Sequence, residues 1–328
     1  VDVLGLNFDE LCAAVGPAQH QIKALRPRYR ALMAGRPDAD GLSAEPLPVV
    51  RRVEDGDLTK FIQRTHDGLE IESVVVPMQR RGKAWKTLCV SSQIGCARGC
   101  TFCETAQLGL LRNLTTAEIV GQVVAARRLG EPVRNVVFMG MGEPFDNFDA
   151  VTRAVRVLTD PNGTPIKWDR VTLSTVGRTE GIRRLAALRW RRVNLAVSLN
   201  APNDAIRSEI MPINRLEPMD KLREALLDYP RRRCQFFMIE YVLIPGVNDA
   251  REHALELVEY LRPVYSVVNV IPYNPRHDSP WPAPDEERVT RFLHWLKAAG
   301  QNCKRRLTKG RDLMAACGQL GNRALARR

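Results

Sequence analysis

Three cysteines stand close enough in this chain to act together: Cys96-Ala-Arg-Gly-Cys100-Thr-Phe-Cys103, within eight residues, with Gly95 and Gly99 loosening the backbone around them. Thiols at this spacing can wrap one face of a small inorganic cluster. A cubane iron–sulfur cluster takes four cysteines when fully ligated. Three leave one iron open to a ligand that reacts. A structural zinc site also uses short Cys spacings but wants a fourth Cys or His, usually from a second pair downstream. No such pair follows. Cys234 lies alone beside Arg231, Arg232 and Arg233, and His66 is upstream in a Gly-containing turn.

Positioning such a loop needs a scaffold, and from Thr87 onward the chain alternates short apolar runs with helical periodicity. Strands are expected over 87–91, 133–139, 171–174, 193–199, 236–243 and 267–271, and helices over 116–129, 148–158, 179–188, 218–227, 250–261 and 285–299. Thr115-x-x-Glu118 is a capping box that fixes the start of the first helix. Six strand–helix units imply a parallel sheet curled by right-handed crossovers. That is two units short of a closed barrel, so the expected class is α/β with an open (β/α)6 partial barrel over 87–300. Ahead of it, 1–50 reads as a small helical domain with an apolar stripe of Leu4, Leu6, Phe8, Leu11 and Val15, then Arg26, Arg28 and Arg30. Its exit carries Pro37, Pro46 and Pro48. A small β extension over 51–86 follows, with Ile71 and Val74 to Val76 as a strand and Asp67-Gly68 as a turn. Residues 301–328 form a basic C-terminal segment holding the last cysteine, Cys317.

Forty-nine Lys and Arg against 37 Asp and Glu give a net charge of +12. That excess favours a polyanionic partner. Arg51-Arg52, Arg80-Arg81 with Lys83 and Lys86, Arg189 with Arg191-Arg192, Arg231 to Arg233, and Lys304 to Arg306 form short basic clusters. One such cluster is ordinarily a solvated face; several together lean toward RNA. No apolar run approaches the length of a spanning helix, which disfavours a membrane. Eight cysteines could pair in a small secreted chain, but no signal-peptide pattern is visible and the clustered thiols need reducing conditions. The cytoplasm is the expected compartment. The first residue is Val1 rather than Met, which reads as a sequence without its natural start.

In parallel α/β folds the reacting groups gather where strands end. Gly140-Met-Gly-Glu143-Pro ends the second expected strand, Ser174 the third and Ser198-Leu-Asn200 the fourth, while Asn274 follows the sixth. A dinucleotide-binding G-x-G-x-x-G fails at Phe145. Glycine here suits close approach of carbonyls and Glu143 to a cationic amine. Taken alone, each Ser or Asn reads rather as a cap for free backbone groups at a strand end. Cys89 and Cys317, taken alone, read as inert buried thiols, and Glu72 as a solvated strand carboxylate.

C-x-x-x-C-x-x-C with Phe102 before the last Cys resembles the radical S-adenosylmethionine (radical SAM) superfamily. Thr87-Leu-Cys-Val-Ser-Ser-Gln-Ile-Gly-Cys96, Arg112-Asn-Leu-Thr-Thr-Ala-Glu-Ile119, Val137-Phe-Met-Gly-Met-Gly-Glu-Pro144 and Ala315-Ala-Cys-Gly-Gln-Leu320 resemble the RlmN/Cfr type of 23S rRNA adenine methyltransferase. The likeness runs from about Glu72 to Leu320. It implies the radical SAM partial barrel, a [4Fe-4S] cluster on Cys96, Cys100 and Cys103, and S-adenosyl-L-methionine (SAM) as cofactor. Gly142 and Glu143 would meet the SAM amino group, and Ser174, Ser198, Asn200 and Asn274 its carboxylate and ribose. It also implies that Cys317 takes a methyl as S-methylcysteine, that Glu72 accepts the proton leaving the base, and that Cys89 releases the product by closing onto Cys317 as a disulfide.

Two positions depart from the family pattern. Asn200 stands where the family has His, keeping a donor and an acceptor but not a titrating ring. Glu104 follows the third cluster cysteine where a small residue is usual, and a carboxylate there lowers the cluster's reduction potential. The activity implied is methylation of adenosine C2 in 23S rRNA, with tRNA as an open second substrate. The helical domain that contacts RNA in the family is short here. An electron donor such as flavodoxin or ferredoxin and a monomeric state are implied with it. C8 methylation shares every motif; a radical SAM enzyme acting on a peptide or small molecule, and a non-catalytic iron–sulfur RNA-binding protein, are the readings from other classes.

Overall fold

Periodicity places most elements within a residue or two of where a computed structural model, which describes residues 1–18, 21–37, 41–307, 309–311 and 313–322, shows them. The chain forms two compact units. The first is Val1–Ile94 with Leu111–Val171, and the second is Gly95–Leu110 with Thr172–Arg328.

In the first unit, α1 (Phe8–Val15) starts at a capping box in which Asn7 and Glu10 satisfy each other's backbone N–H groups. It is followed by α2 (Ile22–Met33). Leu4, Phe8 and Leu11 of the expected stripe are buried, but Val15 is exposed where Gly16 ends the helix in the left-handed conformation. The sheet runs β1 (Val49–Asp55), β2 (Leu58–Arg64), β3 (Glu70–Arg80), β4 (Lys83–Cys89) and β7 (Val133–Phe138), antiparallel through β4 and parallel between β4 and β7. The β3–β4 hairpin was not expected from the sequence. Its two-residue turn is Arg81-Gly82, both at positive φ, the twist a two-residue hairpin demands. Arg takes the place of the usual Asn or Asp. Helices α3 (Thr116–Arg128) and α4 (Phe148–Thr159) complete the unit, α3 starting at the expected Thr115–Glu118 capping box.

In the second unit, β8 (Val171–Thr175), β9 (Asn194–Ser198), β10 (Phe237–Leu243), β11 (Ser266–Pro272) and β12 (Cys303–Arg305) follow one another in parallel. The connections carry α5 (Thr179–Ala187), α6 (Asp204–Ile210), α7 (Met219–Leu227), α8 (Arg251–Leu261) and α9 (Glu286–Ala298). β12 lies in the stretch expected as a basic tail, where Arg305 pairs in register with Val270.

Side chains alternate across these strands. Leu173, Leu195, Val197, Ile239, Tyr241, Val268 and Val270 share one buried apolar face, where Tyr241 stacks on Phe292 of α9 with ring centroids 5.2 Å apart. The opposite face carries Ser174, Ser198, Glu240 and Asn269. The short strands β5 (Gln93–Gly95) and β6 (Leu110–Asn113) pair at the base of the cysteine loop.

Candidate active site

The cysteine loop leaves β5 through a close crossing of two backbones. Gly95 has φ +76, and the Cys96 N–H donates to the Gly109 carbonyl at 2.8 Å. A Cβ on Gly95 would stand 1.8 Å from that carbonyl oxygen, so only glycine fits. Further along, the Thr101 N–H donates to the Ile210 carbonyl at 3.0 Å, and Arg276 Nε to the Thr101 carbonyl at 2.8 Å. Cys100 and Phe102 are buried among Ala201, Ile210, Met211, Ile213, Ile244 and Tyr273, with Cys103 packed partly against them.

Burial pushes the Cys103 thiol up, with bonds from the Ala106 and Thr105 backbone opposing. Among the described residues no three His, Cys, Asp or Glu side chains form a ready-made metal site. The thiols therefore share a loop rather than a preset cage. The donor chemistry fits a thiolate-bound cluster: three soft ligands on one short loop, apolar walls, and no fourth protein ligand gathered with them.

A cation lies beneath this loop. Arg207 is fully buried and attracted by Cys100, and burial pulls its guanidinium down from the usual arginine range. It donates to the carbonyls of Leu199 (3.1 Å), Val176 (2.5 Å) and Glu217 (3.3 Å) and to Asn214 Oδ1 (2.7 Å). One side chain thus ties together the segments that leave β8 and β9, just past Ser174 and Ser198. Ser174 is buried and Ser198 half-buried on the same face.

Asn200 behaves differently from a ligand-facing group. It is 1% exposed at φ +58, a conformation asparagine tolerates better than most residues. Its Oδ1 accepts from the Val242 N–H at 2.9 Å and its Nδ2 faces Met211 Sδ at 3.3 Å, so the amide is turned toward its own chain. Asn274 Oδ1 accepts from Arg311 Nε at 3.1 Å.

Cys317 sits half-buried in a loop fastened to the cysteine segment on one side and to the end of β11 on the other. The Glu104 N–H donates to the Gly318 carbonyl at 2.7 Å, and Thr105 Oγ1 to the Leu320 carbonyl at 2.5 Å. Gln319 donates from Nε2 to the Pro275 carbonyl at 3.0 Å and accepts from the Ala316 N–H at 3.3 Å. Glu104, fully buried, has a structural use beyond any effect on the cluster. Its carboxylate accepts from the His277 N–H at 3.2 Å.

In the first unit, Glu72 on β3 and Cys89 at the end of β4 lie on one sheet face, since Cys89 is in register with Val74. Glu72 is not solvated. It is 2% exposed, and Lys60 Nζ stands 2.7 Å from its Oε2. Ser91 donates from Oγ to the Glu72 carbonyl at 2.7 Å and accepts from the Met141 N–H at 2.9 Å. The buried Gln122 holds the Ser91 backbone from both sides. Gly142 has φ +95, and a Cβ there would meet Gln93 Cβ at 2.5 Å. This glycine serves contact with the Ser91–Gln93 segment. Glu143 is buried; its N–H donates to Gln93 Oε1 at 2.8 Å and its Oε1 accepts from the Phe145 N–H at 3.0 Å.

None of the eight cysteines is in a disulfide. Lys60, Arg207, Glu240 and Asn269 had no mark in the sequence pattern. Glu240 accepts from Asn269 Nδ2 at 2.7 Å in register with Ser198. The available signal was a lone carboxylate inside the apolar run Phe-Met-Ile-Glu-Tyr-Val-Leu.

A profile of the radical SAM superfamily matches residues 90–258. The chain is 47% identical over 283 residues to the RlmN 1 protein of Protochlamydia amoebophila (strain UWE25), assigned as a dual-specificity RNA methyltransferase, covering 86% of this chain and 78% of that one. It is 45% identical over 261 residues to the dual-specificity RNA methyltransferase RlmN of Syntrophotalea carbinolica, covering 80% and 69%. A crystal structure of a radical SAM methyltransferase from Sphaerobacter thermophilus superposes with a TM-score of 0.87 at 39% identity, covering 97% of this chain and 98% of that one. The chain belongs to the radical SAM superfamily, with its [4Fe-4S] cluster and SAM, and within it to the RlmN family of dual-specificity RNA methyltransferases.

Proposed function

We propose that this enzyme methylates C2 of an adenosine in 23S rRNA, with tRNA as a second substrate, using Cys317 as the methyl carrier. The observation that carries the reading is the fastening of the Cys317 loop to the cysteine segment through Glu104–Gly318 and Thr105–Leu320. An inert surface thiol needs no such anchorage.

Cys96, Cys100 and Cys103 hold the cluster. Gly142 and Glu143 of the first unit would serve the SAM amino group and Ser174, Ser198 and Asn274 of the second its carboxylate and ribose, with Asn200 shaping its own loop. Bound there, cluster and cofactor supply the one-electron chemistry that activates a methyl group toward an aromatic carbon.

The protein's own residues do the rest. Adenine C2 is not a nucleophile, whereas a thiol sulfur is, so Cys317 Sγ takes the methyl first. Joining that carbon to the base removes one hydrogen atom from the methyl and one electron from the ring, both of which the cluster-and-SAM chemistry would take up, and Glu72 would receive the displaced ring proton. Cys89 Sγ then bonds to Cys317 Sγ; the electron pair of the broken carbon–sulfur bond goes to the methylene carbon, which takes a proton to become methyl. No helix among the described residues is long and apolar enough to cross a membrane. The reading places the enzyme in the cytoplasm with a flavodoxin- or ferredoxin-type donor.

The test uses anaerobically reconstituted enzyme with SAM, a reductant and an rRNA fragment, followed by nucleoside mass spectrometry. The expected product is 2-methyladenosine. Cys317→Ala should transfer no methyl, whereas Cys89→Ala should stall with RNA covalently attached, seen on a denaturing gel. Formation of 8-methyladenosine, or normal turnover without either thiol, refutes the reading.

A further inference from the structure

The first unit contains a charge pair that neither the fold nor cofactor binding requires. Lys60 on β2 and Glu72 on β3 are diagonal neighbours, Lys60 being in register with Val74 and Glu72 with Ile62. Their side chains are 7% and 3% exposed, with Nζ and Oε2 2.7 Å apart. On the other side of β3, Val74 is in register with Cys89. One face of three adjacent strands therefore presents an ammonium, a carboxylate and a thiol around a single valine.

Burying such a pair costs more desolvation than an apolar pair of the same volume, and its Coulomb attraction often fails to offset the difference. Stability alone is a weak reason to have it. A second observation points to chemistry. Glu72 Oε2 is buried with no aligned hydrogen-bond donor, despite the nearby ammonium. Buried acceptors are almost always hydrogen-bonded, whereas this oxygen is held by the charge of the Lys60 ammonium 2.7 Å away rather than by an aligned bond.

We infer that Lys60 is the positioning residue of the proton acceptor: its ammonium holds the Glu72 carboxylate in the sheet interior, on the face shared with Cys89, for the proton leaving the attacked adenine carbon. This rests on the role proposed for Glu72. In the step itself the carbon–hydrogen bond breaks and its proton bonds to the Glu72 carboxylate, while the one electron that restoring the aromatic ring releases would return to the oxidised cluster. Lys60 exchanges no proton and touches no substrate. The β2–β3 pairing then has a specific use, because it aligns the base with the strand that carries the resolving thiol.

The experiment is a double-substitution cycle on the cluster-loaded enzyme, reading three quantities in one turnover: methyl on Cys317 by intact-protein mass, covalent protein–RNA adduct on a denaturing gel, and released methyladenosine. Glu72→Gln should load the methyl, form the adduct and release product ~100-fold more slowly. Lys60→Met should do the same, and Lys60→Arg, which keeps the charge, should recover most of the rate. In the Glu72→Gln background, Lys60→Met should add nothing, because Lys60 acts only through that carboxylate.

A slowed Glu72→Gln with a normal Lys60→Met overturns the inference and leaves the role of Glu72 standing. Normal release by Glu72→Gln refutes that role instead. Equal, additive losses in both backgrounds make Lys60 a purely structural residue and also overturn the inference. If Lys60→Met takes no methyl on Cys317, Lys60→Gln replaces it in the same cycle.

Discussion

Gly95→Ala gives the sharpest test of how the cysteine loop is held. At φ +76 an alanine costs ~1–2 kcal/mol of backbone strain. Its methyl would lie 1.8 Å from the Gly109 carbonyl oxygen, where real Cβ atoms stay beyond 3.0 Å. The carbonyl must turn away, and it is the acceptor for the Cys96 N–H at 2.8 Å, a bond worth ~1 kcal/mol. Together these open the loop by about 2–3 kcal/mol, which lowers the population able to hold a cluster by roughly 30- to 150-fold. Gly109→Ala is the control. It has φ +65 and ψ −174, a conformation essentially confined to glycine, but nothing within 4 Å of its Cβ, so it bears backbone strain without the clash. The assay is iron per chain and visible absorbance after anaerobic reconstitution, then the rate of iron loss to a chelator. Gly95→Ala should lose iron far faster than Gly109→Ala. Equal retention by Gly95→Ala and the unsubstituted protein refutes the argument that this crossing shapes the loop.

Arg207→Met should destabilise the second unit by at least ~3 kcal/mol, because it strands four buried acceptors at once; a loss below ~1 kcal/mol in chemical denaturation counts against it. Bonds from Arg112 and Thr65 hold the Asp67 carboxyl down to about 2. Its contribution to stability is therefore full above the ordinary aspartate range and fades as pH falls through about 2. Arg112→Met should move the Asp67 midpoint up toward the ordinary value in an NMR titration, and an unmoved midpoint contradicts the assignment.

Most of this architecture was legible in the sequence because period-2 and period-3.6 patterns report burial directly. The strands over 171–174 and 236–243 were found at Val171–Thr175 and Phe237–Leu243, and the helix over 116–129 at Thr116–Arg128. What stayed hidden depends on pairing rather than on pattern. β12 holds only Cys303, Lys304 and Arg305, and a basic triplet becomes a strand only because β11 offers it an edge. The Arg81-Gly82 hairpin lacks the usual turn pair. Among site residues, the cysteine triad was visible because three thiols at short spacing have few other uses. Glu72 was visible only by resemblance. Its burial beside Lys60 comes from register across two strands, a relation that no window of sequence contains.

The Thr105–Leu320 bond joins residues 215 positions apart. Contacts of such separation carry a high closure entropy and form late in folding. Until then the loop with Cys96, Cys100 and Cys103 lacks both of its clasps to the Cys317 segment, Glu104–Gly318 and Thr105–Leu320. The cysteine loop and the Cys317 segment therefore reach their joint arrangement only once distant parts of the chain have met.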